Sequence, residues 1–165
     1  MTVATKSAQA LTFRTIDSPV GGLTLAGLGR TLMWLVIAGQ RREPDRSGWG
    51  GVDQRAFPDA VAQLGAYFDG ALTQFDVELR LAGTDFQRRV WAAARAIPYG
   101  QTRSYAQIAA QIGAPRASRA VGVALGRNPV PIIVACHRVI GTAGGLTGYV
   151  GGIDCKQTLL VREAG

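Results

Sequence analysis

Residues 104–126, SYAQIAAQIGAPRASRAVGVALG, decide the fold of the C-terminal half of this chain. Ser104 can cap a helix whose apolar residues recur at helical spacing. Those residues are Tyr105, Ile108, Ala109 and Ile112. Residues 113–116 form a turn with glycine and proline, and residues 117–126 predict a further helix with Val121 and Leu125 facing inward. Two helices joined by a short glycine-containing turn predict a helix-turn-helix.

The second helix of this pair has mostly small residues at its exposed positions. They are Ser118, Ala120, Gly122, Val123 and Gly126, and Arg119 is the one long side chain. A helix that reads base edges usually projects long polar side chains. Small residues instead favour close approach to DNA, with binding through shape and phosphate contacts. The alternative is a helix kept small to pack tightly against a neighbour, and the helix pair alone does not decide between the two.

The stretch IIVACHRVIG at residues 132–141 holds the most unusual side chains, and we interpret it as a buried strand. It contains Cys136, Arg138 and the only histidine of the chain, His137. Polar groups in a buried strand cost free energy unless they are paired, so a thiol beside an imidazole indicates nucleophilic chemistry. An adjacent imidazole can act as base directly or through a water. Neighbouring side chains on a strand point to opposite faces, so Cys136 and His137 need not touch directly and a water can bridge them. The alternative is an inert buried cysteine.

Three carboxylates of the second half could orient the imidazole, and the residues alone leave the choice open. They are Asp85, Asp154 and Glu163. A zinc site is not expected, because Cys136, His137 and Cys155 are too few and poorly spaced for the usual four ligands. With only two cysteines, a reduced, cytosolic setting is the default. The N-terminus does not have the pattern of a signal peptide, and no apolar stretch has the roughly 20 residues of a membrane span.

The net charge of +7 comes from one half of the chain. Residues 1–83 carry eight basic and eight acidic side chains, whereas residues 84–165 carry ten basic and three acidic ones. This asymmetry indicates a polyanionic partner, such as nucleic acid, for the second half. The alternative is that the arginines keep the surface soluble.

The first half alternates between strand patterns and one helix pattern. A loose tail at residues 1–10 precedes strands at residues 11–17, 22–28 and 31–38, and residues 39–56 are expected to form an exposed, mobile loop. A helix at residues 57–68 and a last strand at residues 75–83 complete this half.

The second half begins with a capping box, Thr84 followed by Gln87, at the start of a helix that residues 97–100 end. Asn128 lies in a segment with two prolines, where it could bridge the backbones on either side or be an ordinary turn residue. Residues 141–152 predict a flexible loop with Tyr149 at its tip, and residues 153–163 a final helix.

From residue 84 to 164 the chain resembles the O6-alkylguanine-DNA alkyltransferases, also called methylated-DNA–protein-cysteine methyltransferases. The motifs that agree in order and spacing are TDFQRRVW, IPYGQTRSYAQIA, RAVGVALGRNPVPIIV, CHRVIG and LTGYVGG. The resemblance implies an α+β fold. Residues 1–82 would form a scaffold domain with a small antiparallel sheet and a helix, in a ribonuclease-H-like outline. Residues 83–165 would form a mainly helical domain that contains the helix-turn-helix and the alkyl-transfer site.

The resemblance also implies roles for the reacting groups. Cys136 would accept the alkyl group, His137 would be its water-mediated base, and Glu163 would orient His137. Tyr105 would assist protonation of the guanine leaving group and crowd the phosphate of the rotated nucleotide. Asn128 would be the hinge between the second helix and the cysteine strand.

For the DNA, the resemblance implies that Arg119 fills the base stack while the helix with Ser118, Ala120 and Gly122 enters the minor groove. The backbone carbonyls of Cys136 and Val139 would read the guanine amino group. The wall and lid of the base pocket would be Tyr149, Val150 and Gly151. The chain departs from the family pattern at Ala135, where a proline usually precedes the cysteine.

The function implied is irreversible, single-turnover repair of O6-methylguanine, and of O4-methylthymine, in double-stranded DNA after nucleotide flipping. No metal and no cofactor are implied. We expect a cytoplasmic protein, associated with the nucleoid when on DNA and monomeric when free, with cooperative binding on DNA as an open alternative. The alternative function is a non-catalytic helix-turn-helix protein that binds alkylated DNA.

Overall fold

The computed structural model describes residues 9–165, so most of the tail predicted at residues 1–10 lies outside the described residues. The three predicted strands of the first half are confirmed as β1 (Leu11–Ile16), β2 (Leu23–Leu28) and β3 (Thr31–Ile37). β1 pairs antiparallel with β2, and β2 pairs antiparallel with β3. A fourth strand, β4 (Trp49–Val52), completes the sheet in the order β3-β2-β1-β4.

The prediction of a loop over residues 39–56 is wrong for its second part. Residues Trp49–Val52 form the fourth strand, β4, which pairs parallel with β1. The sheet is therefore mixed rather than purely antiparallel. The sequence predicted a loop here because glycine-rich segments are typical of turns. Glycine suits position 50 of this strand, because a Cβ there would lie only 3.0 Å from the Cβ of Ala10.

The predicted helix at residues 57–68 is confirmed as α1 (Pro58–Phe68), with Phe57 at its N-cap. Residues 75–83 are not a strand, although the sequence alternates. Leu79 forms only an isolated bridge to Leu32, flanked by backbone hydrogen bonds from Leu32 to Glu78 and from Arg80 to Leu32. The alternation of apolar and polar residues thus indicates that one side of the segment is buried. It does not indicate that the segment belongs to the sheet.

The helices of the second half lie where the sequence predicts them. They are α2 (Asp85–Arg95), α3 (Tyr105–Gln111), α4 (Ser118–Gly126) and α5 (Ile153–Glu163). The Thr84 capping box on α2 is confirmed, and Ser104 forms a second one with Gln107 on α3. The indole N–H of buried Trp91 on α2 donates to the carbonyl of Ala124 at 2.8 Å. This bond fixes α4 against α2.

The interpretation of residues 132–141 as one buried strand is wrong. Residues Cys136–Arg138 form a single turn of 3-10 helix, and Ile132 has a φ of 75°. Only Val139–Ile140 is a strand, β6, which pairs parallel with β5 (Arg103–Ser104). Cys136 and His137 are therefore neighbours on a helical turn and do not face opposite sides of a strand.

The two halves share one hydrophobic core. Its buried cluster includes Leu35 and Leu64 from the first half and Val90, Ile108 and Leu159 from the second. The halves are also joined by hydrogen bonds, such as the one from the Leu35 N–H to the Pro129 carbonyl at 2.9 Å. Among the described residues, no helix is long and apolar enough to cross a membrane.

Candidate active site

The thiol of Cys136 is buried at the first position of the 3-10 turn, with the residue 4% exposed. Its Sγ accepts a hydrogen bond from the side-chain Nδ2 of Asn128 at 3.0 Å. The same Nδ2 donates to the carbonyl of Val134 at 3.0 Å, and the Asn128 Oδ1 accepts from the N–H of Val130 at 2.9 Å. Asn128 therefore ties the end of α4 to the segment that carries the nucleophile, which makes it more than a turn residue.

His137 is fully buried, and its Nε2 lies 2.7 Å from Oε1 of Glu163. An ionised carboxylate can only accept, so Nε2 carries the proton and Nδ1 is the free lone pair of a neutral ring. The Nδ1 atom is buried and has no hydrogen-bond partner among the described residues. Of the three carboxylates that the sequence left open, Glu163 is thus the one bonded to the imidazole. The free Nδ1 is the atom that can accept a proton.

Glu163 is bonded by two further side chains that the sequence analysis did not assign. Arg138 donates from Nε to Oε2 and from Nη2 to Oε1, both at 2.8 Å. The hydroxyl of Tyr67, at the end of α1, donates to Oε1 at 2.7 Å. Tyr67 belongs to the first half of the chain, so that half is not only a scaffold: it supplies a donor to the carboxylate that holds His137.

The protonation states follow from burial and from these bonds. Burial raises the pKa of Cys136 to about 11, against the lowering effect of the Asn128 hydrogen bond and the Lys156 charge. Burial also lowers the pKa of His137, while the hydrogen bond to Glu163 acts in the opposite direction. Burial alone would raise the pKa of Glu163, but the hydrogen bonds from His137 and Arg138 lower it to about 2. At neutral pH the site therefore holds a thiol, a neutral imidazole and a carboxylate.

Lys156 is a third residue that the sequence analysis missed. It is 1% exposed on α5, and its Nζ donates to the carbonyls of Val139 at 2.7 Å and Thr147 at 3.1 Å. The carbonyl of Cys136 accepts the N–H of Val139. Both carbonyls predicted to read a guanine amino group thus already accept one hydrogen bond, and each keeps a second lone pair.

A cavity of about 450 Å³ brings together most of the residues predicted to contact DNA or the base. Its lining includes Tyr105, Ser118, Arg119, Gly122, Tyr149 and Val150. The Tyr105 hydroxyl lies 2.6 Å from Oγ1 of Thr147, which also lines the cavity. Arg41 and Arg42 of the first half line it as well, which the sequence analysis did not foresee.

Not every predicted residue lies on this cavity. Ala120 is exposed on α4 outside it, whereas Cys136 and Val139 are buried and do not line it. Tyr149 is 6% exposed, so the prediction that it lies at the tip of a flexible loop is wrong. Gly151 packs closely, because a Cβ there would lie 2.9 Å from Cδ1 of Ile37 and 3.1 Å from Cε1 of Tyr149, so a larger residue would have to displace these side chains.

Metal ligands are not assembled in the part of the chain that the structure describes. No group of three or more His, Cys, Asp or Glu side chains within it could hold a metal ion.

Known proteins match the chain along nearly its whole length. A sequence profile described as 6-O-methylguanine DNA methyltransferase, DNA binding domain, matches residues 85–165, and one described as the ribonuclease-like domain matches residues 11–81. The methylated-DNA–protein-cysteine methyltransferase of Mycolicibacterium paratuberculosis is 61% identical over 92% of this chain and 91% of its own. The chain belongs to the methylated-DNA–protein-cysteine methyltransferase family. The resemblance seen in the sequence is confirmed.

Solved structures agree with this family assignment. The crystal structure of the Mycobacterium tuberculosis O6-methylguanine methyltransferase is 60% identical, covers 93% of each chain and has a TM-score of 0.88. A structure of Mycobacterium tuberculosis OGT in complex with DNA is 59% identical, covers 93% of this chain and 92% of that one, and also has a TM-score of 0.88. The α+β fold of this family member is thereby confirmed.

We predict that Tyr67→Phe changes the pH dependence of alkyl transfer. Without the Tyr67 hydroxyl, more of the Glu163 charge is available to His137, which raises the pKa of the imidazole. In its proposed role as the base, His137 can accept the thiol proton only when neutral, so the transfer rate should begin to fall, as the pH is lowered, at a higher pH than in the unchanged protein. The free energy of unfolding should also fall by about 1.5–3 kcal/mol, the value of a hydrogen bond to a charged group. Single-turnover rates measured across pH, with denaturant unfolding, check both effects.

Tyr99→Phe is the matched control. The Tyr99 hydroxyl donates to the carbonyl of Arg162 at 3.4 Å and does not contact Glu163, although the two tyrosine rings pack edge to face. This control should leave the pH dependence unchanged. A Tyr67→Phe rate that falls by the same factor at every pH would mean that Tyr67 acts through packing alone.

We also predict that Ala135→Pro is tolerated. Ala135 has a φ of −77°, which proline adopts, and its N–H donates no hydrogen bond to any described residue. The variant should be more stable by about 0.4–1 kcal/mol, because proline restricts the unfolded chain. Its transfer rate should stay within about threefold of the unchanged protein, since such a change leaves the contacts of Cys136 in place. Thermal unfolding and single-turnover kinetics test this, and a destabilised variant would contradict it.

Proposed function

We propose that this protein repairs alkylated DNA by direct reversal, moving the alkyl group from O6 of guanine, or O4 of thymine, to Sγ of Cys136. One observation carries the proposal: a buried thiol is held by Asn128, and the next residue is a neutral imidazole oriented by Glu163. A protein that only binds alkylated DNA would need neither the buried thiol nor the oriented imidazole. The sequence identity to methyltransferases over nine-tenths of the chain supports the same conclusion.

The proton of Cys136 leaves as the sulfur attacks. Nδ1 of His137 accepts it through a bridging water, while the Nε2 proton stays on the Glu163 side, where the carboxylate stabilises the imidazolium that forms. The sulfur attacks the alkyl carbon in line, and the bond from that carbon to O6 breaks. Tyr105 donates a proton to the guanine that leaves, and the proton held by His137 returns through water to Tyr105, so that the reaction takes up and releases no net proton. The products are unmodified guanine and a thioether at Cys136, which is not readily cleaved, so each molecule acts once.

The base reaches the thiol only outside the duplex, so the nucleotide is flipped out at a cost of a few kcal/mol. In our proposal α4 enters the minor groove, with Ser118, Ala120 and Gly122 allowing close approach, and Arg119 fills the gap in the base stack. Arg119 is exposed at the rim of the cavity, which fits this role.

In our proposal the flipped base occupies the cavity that Tyr149 and Val150 line, and Gly151, the next residue in the chain, completes the lid. The carbonyls of Cys136 and Val139 accept the guanine amino group through their second lone pairs. Asn128 acts as the hinge that connects α4 to the nucleophile, because its one amide contacts both the Val134 backbone and Cys136.

We further propose residues 1–82 and 83–165 as the two domains, with alkyl transfer in the second. The basic charge of residues 84–165 supports DNA as the ligand of that domain. We propose that the protein acts as a monomer, because one chain contains every group that the transfer uses. We also propose that it acts in the cytoplasm, on chromosomal DNA.

Intact-protein mass spectrometry tests the transfer itself. After the protein is mixed with an equimolar duplex that contains O6-methylguanine, we expect a gain of one CH2, and peptide mapping should place it on Cys136. Cys155 serves as an internal control: burial raises its pKa to about 11 as well, but it has no imidazole partner among the described residues and should stay unmodified. Binding of the duplex without any mass gain would favour the non-catalytic alternative.

Arg119→Ala tests nucleotide flipping. Removing the side chain should weaken duplex binding and slow repair of duplex DNA roughly tenfold, since nothing then offsets the loss of base stacking. Reaction with free O6-benzylguanine, which needs no flipping, should change less than about twofold. Rate constants for both substrates measure the difference, and equal losses on the two would contradict the assigned role.

A further inference from the structure

The segment that follows β3 brings two arginines of the first half to the cavity. Arg41 and Arg42 both line it, together with Tyr105 and Arg119 of the second half. The backbone N–H of Arg41 donates to the carbonyl of Val150 at 3.2 Å. The side chain of Gln40 accepts from the N–H of Ile37 at 2.8 Å and donates to the carbonyl of Arg42. These bonds hold the two arginines beside the lid residue Val150.

Neither guanidinium has an acidic partner that would explain its position. Both residues are exposed, and neither forms an ion pair with any carboxylate of the described chain. The adjacent acidic residue, Glu43, is paired with Arg46 at 2.8 Å instead. Two unpaired positive charges thus lie next to each other at the rim of a cavity, beside the exposed Arg119.

The chemistry of the rim favours a phosphate ligand. A guanidinium presents several N–H donors in a planar fork that matches phosphate oxygens. A flipped nucleotide places its base inside such a cavity while its phosphates stay outside, at the rim. The first half carries no net charge, so the arginines do not result from a generally basic surface in that half.

We propose that Arg41 and Arg42 bind phosphates of the DNA strand that carries the flipped nucleotide. The site for that nucleotide is then bounded by arginines from both halves of the chain, Arg119 from α4 and this pair from the first half. The inference rests on the proposed function, and it extends the DNA-contacting surface beyond the helix-turn-helix.

The test compares Arg41→Gln/Arg42→Gln with a matched double variant, Arg55→Gln/Arg80→Gln. The control removes two exposed arginines of the same half that do not line the cavity, so both variants lose the same charge. Affinity for an unmodified duplex is measured over a range of salt concentrations. Each phosphate contact contributes about 0.9 to the slope of log affinity against log salt, so the slope of the first variant should be smaller by roughly 1.8. The slope of the control should match the unchanged protein.

Two rate measurements accompany the binding data. Repair of O6-methylguanine in a duplex at subsaturating protein should slow roughly tenfold in Arg41→Gln/Arg42→Gln, as expected for the loss of two phosphate contacts. The rate with free O6-benzylguanine should stay within about twofold, since the free base has no phosphate. Equal salt slopes in the two double variants would overturn the inference, as would a free-base rate that falls as much as the duplex rate.

Methylphosphonate substitution identifies the strand. Neutralising single phosphates next to the lesion should weaken duplex binding by the unchanged protein but have little further effect on Arg41→Gln/Arg42→Gln. A coupling found only for phosphates of the opposite strand would contradict the proposal. These outcomes are separate from the proposed function, which fails only if the unchanged protein gains no methyl group on Cys136.

Discussion

One buried carboxylate, that of Glu163, determines the arrangement of the active site. It accepts hydrogen bonds from His137, from Tyr67 and twice from Arg138, with Glu163 only 5% exposed. Burying a charge is costly unless it is paired and hydrogen-bonded, and here four bonds offset that cost. The donors come from α1 and from the 3-10 turn, while the acceptor ends α5. The carboxylate is therefore satisfied only when both halves of the chain are packed together.

The same burial controls the nucleophile. A thiol whose pKa is raised to about 11 is protonated at neutral pH, so Cys136 is protected from adventitious oxidation and alkylation. In the proposed mechanism, reaction then depends on a base that is already aligned, and the tautomer fixed by Glu163 leaves Nδ1 of His137 for that purpose. This suits a protein that reacts once, because a thiol consumed by a chance electrophile could not be used for repair.

The sequence predicted the helices and three of the sheet strands, since capping boxes and apolar periodicity act within a few residues. It misassigned residues 49–52, 75–83 and 132–141, because local pattern does not reveal which backbone a segment pairs with. It also missed Tyr67, whose partner lies 96 residues away. Lys156 did leave a signal: it shares one face of α5 with Leu159 and Glu163 at helical spacing, and all three are buried. A charged residue in such a position indicates a buried partner.

The small residues of α4 have two explanations, tight packing against a neighbour and close approach to DNA, and each applies to a different face of the helix. Val121, Ala124 and Leu125 are buried, so packing accounts for that side of the helix. Gly122 lines the cavity, where a Cβ would lie 3.6 Å from the Tyr105 ring in ordinary contact, and a Cβ at Gly126 would meet nothing within 4 Å. Neither glycine is required by its neighbours, and neither has a positive φ. Alanine would also form a better helix than glycine by about 1 kcal/mol. A bare backbone on this face is explained by a ligand that approaches it closely, which is what the proposed minor-groove contact requires.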